Sequence, residues 1–443
     1  MARYYKVTDG VIIFLMALIA RLAYLFIFVE EGHLFTEDQM LFIELVQQFP
    51  ESGFLGVTPE RVPGYPFFVS VIYTLFGEGV WHVILIQIFL DSLSCVVVAL
   101  MANLLFGKGF WIAGLLSVVN LNMIILSASF LTDTLFLFLF ILFLFSLIKY
   151  LQNERIEWLF SLIVLISLAT LVRVSSYYLL PILLIGLIIW RLWSRDSAFK
   201  LVALIVLYLG VSGVILGGIH HRNYQQYESI ELVSQTGRHV LGWLVPAVYQ
   251  YSGQGSYQDG KKLVKERLDL ALQKDNLLTL PLNPFEKSAY RANVGKEILL
   301  EFGFVRILKA WVVGSVINLM APSVAFAPAL RSIEHPSFYS TKGNGAIDKL
   351  FNYVKSSNGS FYLLFLAIGT IASIIFTMSA FLGIFKSASE LPHVIITILL
   401  LLVSYFLIIT GPIIGVKYRL PIEPILTLFA TYFLNTVYKN KSH

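Results

Sequence analysis

Glu37, Asp38 and Arg61 stand in one acidic stretch, Glu30 to Phe68, that holds seven carboxylates and has Arg61 as its one lysine or arginine. A carboxylate that takes up a proton and an arginine that holds an anion are what a group transfer away from a phosphate needs. Further along, Asp133, Arg173, Lys417 and Arg419 each sit where a long apolar run ends or begins. Ionisable groups at membrane depth are costly and are mostly kept for function. Carboxylates and cations gathered on one side suit a reaction in which a hydroxyl loses its proton and a phosphate departs with negative charge. Each residue also has a plainer reading. Asp38 opens a helical pattern and would cap its free amides, and Asp133 would do the same for the apolar run after it. The cations would bind lipid headgroups or snorkel to the interface.

These groups must be positioned by a membrane scaffold. The chain of 443 residues is 57% hydrophobic and 13% charged, where a soluble domain carries about 25% charged residues. Its mean hydropathy is +0.78. Apolar runs of about 20 residues recur along it, so the expected fold is all-α and polytopic. The ten-residue alternation of a membrane barrel is absent. A net charge of +5 is explained by cytoplasmic loop cations, which argues against a nucleic-acid partner. Cys95 is the one cysteine, so there is no disulfide framework. The histidines have no metal-ligand spacing, and no P-loop, GxGxxG or DxD pattern points to a metal, a cofactor or a soluble nucleotide donor.

Arg3 and Lys6 before the first apolar run place the N-terminus inside, and the acidic stretch follows on the outer side. Ten spans are expected: 11–29, 81–105, 111–127, 133–149, one ending at Arg173, 177–190, 201–219, 360–385, 393–415 and 420–438. Both termini are then cytoplasmic. Residues 304–322 are expected to lie in plane or to re-enter, because a further span there would put Lys386 and the KNKSH tail outside. Within the acidic stretch, Leu41, Phe42, Leu45, Val46 and Phe49 share a helical face opposite Glu44, Gln47 and Gln48, the pattern of a helix lying in a membrane interface. Three parts follow: a transmembrane core 1–219 with the catalytic loop 30–68, a long outward loop 220–358, and closing helices 359–443. Arg21 and Asp91 lie near the middle of the first two spans. They are expected to pair, or Asp91 to bond Gln87 and Ser94.

The order of features resembles the GT-C class of membrane glycosyltransferases, in the branch of protein O-mannosyltransferases and lipid A aminoarabinose transferases. The likeness is carried by RVPGYPFF with TLFG, SFLTDTLFLFLF, LVRVSSYYLLP and KYRLPIEPILTLFA, four short pieces in the expected order. The resemblance implies transfer of a sugar from a polyprenyl-phosphate carrier to a hydroxyl of a glycan, lipid or protein acceptor, with inversion. It makes Asp38 the general base, with Glu37 beside it, and Arg61 the donor-phosphate ligand. Arg173, Arg419 and Lys417 would help hold the leaving phosphate, and Asp133, Tyr65 and Tyr418 would support the site. The chain departs from the branch at Thr132-Asp133, where Glu is usual, and it lacks the large C-terminal soluble domain of some relatives. The place of action implied is the outer, periplasmic face of a bacterial inner membrane. A transporter or flippase for a lipid-linked sugar is the competing reading. The acidic outward loop favours the enzyme, because a translocation path would distribute its polar residues along the spans.

Overall fold

A computed structural model describes residues 6–30, 37–56, 58–331, 333, 337–338, 341–357, 360–388 and 391–441. Among them every regular element is helical, as expected. The first half comprises α1 (Val7–Phe28), α2 (Glu37–Ser52), α3 (Gly64–Phe76), α4 (Val80–Phe106), α5 (Phe110–Val118), α6 (Leu121–Ser127), α7 (Asp133–Asn153), α8 (Ile156–Val172), α9 (Leu179–Trp193) and α10 (Ala198–Tyr227). The long segment after it holds α11 (Thr236–His239), α12 (Val245–Tyr251), α13 (Tyr257–Lys274), α14 (Pro284–Phe302), α15 (Phe304–Met320), α16 (Pro328–Arg331) and α17 (Ala346–Ser356). Four helices close the chain: α18 (Ser360–Ser387), α19 (His393–Thr410), α20 (Val416–Arg419) and α21 (Glu423–Lys441).

Eight helical stretches among the described residues are long and apolar enough to cross a membrane, and the bent pair α5–α6 makes a ninth. Helices that satisfy their own backbone and are apolar on all sides are what a bilayer accepts, so this is an integral protein that crosses the membrane several times. The expected third span is broken. Asn120 accepts hydrogen bonds from the amides of Asn122 and Met123, which caps α6 and restarts the helix at a 52° bend. The expected fifth span is α8, apolar but only 17 residues long. α15 carries Arg306 and Lys309 and is not among the membrane-crossing candidates.

The centre of the bundle is shared by α7 and the closing stretch Val416–Val437, 67% and 72% of whose spanning windows are buried against 22% for α1. Phe136, Phe140 and Phe143 of α7 are fully buried, and Phe406 of α19 meets Phe140 edge-on at 5.2 Å. α1 joins the bundle through Arg21, which donates from Nε to Oδ2 of Asp91 at 2.5 Å. Its other nitrogens reach the carbonyls of Ala17, Val118 and Ser117 and the Cys95 sulfur, tying α1, α4 and α5 together. The expected pair therefore forms, while Ser94 bonds its own helix at Leu90. α2 has the expected helical face, with Phe42, Leu45, Val46 and Phe49 buried and Glu44, Gln47 and Gln48 exposed. That face packs on protein, with Phe42 against Tyr65 and Phe49 against Phe67 of α3. An amphipathic stripe has the same spacing whether lipid or protein covers it, and here α3 covers part of the apolar face.

Candidate active site

Arg61 lies in the turn before α3, half-buried, with its amide bonded to the Thr58 carbonyl at 3.1 Å. Gly64, the first residue of α3, lets this turn close on the end of α8. A Cβ there would stand 2.5 Å from the Leu171 carbonyl oxygen, so no larger residue fits without displacing backbone. The contact sets Arg61 beside the segment that bears Arg173. Tyr65 next to it is fully buried; its hydroxyl donates to Gln87 Oε1 at 2.8 Å, and Gln87 Nε2 donates to the Ser129 carbonyl at 2.7 Å. The phenol thus pins the turn to α4 and to the segment leading into α7.

Arg173 follows α8 and reaches across to Asp133, the first residue of α7; Nη1 donates to Oδ1. The two side chains are 17% and 4% exposed, and the guanidinium also lies 5.8 Å from the Phe136 ring. Asp133 is therefore the counter-ion of an arginine as well as the acidic start of a helix.

Lys417 and Tyr418 lie on α20, both half-buried, with the ammonium 5.9 Å from the phenol ring. α15 holds this turn in place: Asn318 donates to the Ile413 carbonyl and accepts from the Gly415 amide, both at 3.0 Å. Arg419 points the other way. It is 3% exposed, donates from Nε to Glu423 Oε1 at 2.6 Å, and bonds the Leu319 carbonyl and the Ser373 hydroxyl through Nη1. Glu423 in turn accepts from Asn120 at 3.1 Å. These bonds lock α20 to α15, α18 and α21.

One further residue near these cations is one the sequence did not single out. His239 ends α11 in the long segment, with part of its ring open. Burial together with the positive charges of Arg61, Arg238, Lys417 and Arg173 pushes its imidazole down to about 4. Burial disfavours the charged ring, and so does every like charge nearby. The charges of cations from four separate segments thus reach one histidine: the turn before α3, the end of α8, α11 and α20. α11 is held there by α14. The Gly237 amide donates to Ser288 Oγ at 2.9 Å, and a Cβ on Gly237 would fall 2.0 Å from the Ser288 carbonyl oxygen. An Arg-His pair in a mixed loop has no spacing signature, and only the fold gives it meaning.

The side chains of Glu37 and Asp38 lie outside the described residues; their backbone begins α2. Among the described residues no group of three His, Cys, Asp or Glu side chains is placed to hold a metal ion. A convergence of guanidinium and ammonium groups beside a neutral imidazole is suited to an anion with several oxygens, a phosphate above all.

Residues 59–215, which include Arg61, Asp133 and Arg173, match the family of dolichyl-phosphate-mannose-protein mannosyltransferases. The resemblance read from the motifs is borne out over this stretch. No curated protein matches the chain. Among solved structures the chain is similar to the archaeal oligosaccharyltransferase AglB from Archaeoglobus fulgidus, in complex with an inhibitory peptide and a dolichol-phosphate. The TM-score is 0.51 at 13% identity, over 99% of this chain and 51% of that one. The chain thus spans about half the length of that protein. A weaker likeness, TM-score 0.42 at 15% identity over 99% of this chain and 79% of the other, is to ArnT from Cupriavidus metallidurans bound to undecaprenyl phosphate. At 13% identity the likeness to AglB is one of fold.

Proposed function

We propose that this protein is a membrane glycosyltransferase that moves a sugar from a polyprenyl-phosphate carrier to an acceptor hydroxyl at the outer face of the membrane. The observation that carries the reading is the set of cations around His239, two of which, Arg61 and Arg173, fall inside the stretch that matches the mannosyltransferase family. The fold shared with AglB, whose structure holds a dolichol-phosphate, is compatible with such a donor. The chain divides into a transmembrane core 1–219, an acceptor-reading segment 220–358 and the closing helices 359–443, with both termini in the cytoplasm.

The acceptor oxygen attacks the anomeric carbon from the face opposite the phosphate, and the bond from that carbon to the phosphate oxygen breaks with its electron pair. The carbon inverts, and the carrier leaves as a polyprenyl phosphate with one more negative charge. Asp38 takes the acceptor's proton, with Glu37 beside it in the same first turn. Arg61 and Lys417 hold the phosphate in both ground and transition states, and the charge that develops on it strengthens those contacts. Arg173 adds a third cation whose direction is set by Asp133. His239, neutral at physiological pH, offers a ring N–H without adding a charge that would bind the leaving group too tightly. A lipid-borne phosphate brings its own anchor and its own anion, so arginines suffice to meet it. Arg419 stays outside this chemistry.

The test is to incubate the purified protein in nanodiscs with polyprenyl-phosphate sugars labelled in the sugar. Release of unglycosylated carrier phosphate, lost in Arg61→Ala, is the result expected. Movement of intact donor across a sealed vesicle, with no cleavage, would establish the transporter instead.

A further inference from the structure

A cavity of about 290 Å³ opens between the turn before α3, α11 and the first two turns of α14. Arg238, Lys287 and Arg291 line it against one carboxylate, Glu60. It adjoins the His239 site. Glu60 of the cavity precedes Arg61 of the cationic site, and Arg238, whose charge also reaches His239, lines the cavity as well. The cavity is about as large as the smallest ligand sites and suits one charged sugar unit.

Three observations define what it takes. First, the lining carries three cations to one anion, and the N-terminal turn of α14, capped by Asn283, adds the positive end of a helix dipole. Second, the one ion pair across the cavity among the described residues is loose. Arg238 Nη1 stands 3.9 Å from Glu60 with both side chains more than half exposed, so an incoming anion displaces it at little cost. Third, Ser234 on the cavity wall is 7% exposed, yet its hydroxyl oxygen meets no hydrogen-bond partner among the described residues. A buried hydroxyl without a partner is costly and is rare in folded proteins. Its backbone is fixed in place, the amide donating to the Pro59 carbonyl at 2.9 Å.

We infer that this cavity is the acceptor subsite and that it takes a sugar bearing an anionic oxygen group, a phosphate or a carboxylate. The anion sits between the guanidinium groups of Arg238 and Arg291 and the Lys287 ammonium, and its arrival lets the shielded Ser234 hydroxyl turn to donate to it. Glu60, released from Arg238, accepts from sugar hydroxyls. The acceptor is thereby anchored one residue away from the groups that hold the donor phosphate. The assignment rests on the glycosyltransferase reading for the word acceptor, while the anion site itself stands on the cavity.

The experiment measures binding of glucose 6-phosphate, glucuronate and glucose to the detergent-purified full chain, with no donor present. A charged sugar should bind at least about tenfold tighter than glucose, and whichever does so assigns the group as phosphate or carboxylate. Lys287→Ala and Arg291→Ala should each weaken that binding about ten- to hundredfold, the range for a hydrogen bond to a charged group. Arg291→Lys should recover part of it. Size-exclusion profiles and helical content check each variant's fold, and Lys287→Ala serves if Arg291→Ala misfolds. Equal binding of all three sugars overturns the proposal. So does binding lost in Arg61→Ala but untouched in both cavity variants, which would place the anion at the donor site. Donor cleavage, assayed separately, tells the two readings apart. Cleavage without anion binding removes the subsite alone, and anion binding without cleavage removes the glycosyltransferase.

Discussion

Arg173, 40 residues away in sequence, donates from Nη1 to Oδ1 of Asp133, and this bond joins the exit of α8 to the entry of α7, the apolar helix before it. The pair is largely buried, so neither member is replaceable alone without leaving the other charge uncompensated.

Asp133→Ala is therefore expected to lower kcat through a misdirected Arg173, with a cost of about 2–5 kcal/mol, the range for truncating one partner of a buried hydrogen-bonded charge pair. Asp133→Glu should rescue most of it and Asp133→Asn less, since the amide keeps a hydrogen bond but not the charge. A merely structural capping role predicts equal activity per folded molecule in all three, which steady-state kinetics on matched monodisperse samples would reveal.

Asp38→Asn keeps size and capping ability but removes the base. Turnover should fall roughly 10²–10⁴-fold with donor binding retained. Arg61→Ala should weaken donor binding as well as turnover, and Arg61→Lys should restore only part of the loss. Wild-type turnover in Asp38→Asn would leave Asp38 as a cap and move the base to Glu37.

His239 gives a pH signature. Its imidazole is pushed down to about 4 by burial and the surrounding cations. A bound phosphate offsets those cations and raises the imidazole's value, so between the free and bound values binding takes up a proton. Carrier-phosphate affinity should accordingly gain from His239 as pH falls through that window toward 4, and the gain should level off below it. The phosphate titrates too, so the quantity to compare is the wild-type pH profile against that of His239→Gln. Parallel profiles would remove His239 from contact with the donor charge.

The Arg21–Asp91 pair is fully buried between α1 and α4. Arg21→Met or Asp91→Leu alone should destabilise by about 3–5 kcal/mol, whereas the double variant should recover most of the loss, because two apolar groups of similar size need no counter-charge. Unfolding followed by thermal denaturation in detergent would show it. Equal loss in single and double variants would instead mean that the bonds from Arg21 to the Val118 and Ser117 carbonyls are what hold the bundle.

Gly64→Ala should disturb the site while sparing the fold. The added Cβ would stand 2.5 Å from a backbone oxygen of α8, so the turn bearing Arg61 must move away from Arg173. A shift of about 1 Å at reacting groups costs up to roughly 100-fold in rate. Unchanged kcat/KM in this variant would mean that Arg61 and Arg173 do not act on one phosphate.

Much of this was legible in the chain itself. Apolar runs of membrane length declare helices, because a bilayer leaves the backbone no other way to satisfy its amides and carbonyls. Arg21 and Asp91 declare each other, because an isolated charge at that depth is too costly to keep. Arg61, Asp133 and Arg173 stand out because cations and carboxylates at span ends break the apolar pattern. Other features had no local trace. The stripe on α2 reads the same whether lipid or α3 covers it, and Asn120 looks like any polar residue until it caps α6 and breaks a span. Arg419 and Lys417 are two residues apart, and only the partners waiting at Glu423, Leu319 and Ser373 turn one inward, while the other's charge reaches His239. His239 and the cavity beside it exist because Gly237 admits the backbone of α14 and Gly64 that of α8. Composition and periodicity report how each segment meets its solvent; which distant segments share a charge is settled by close approaches of backbone that no single stretch of sequence encodes.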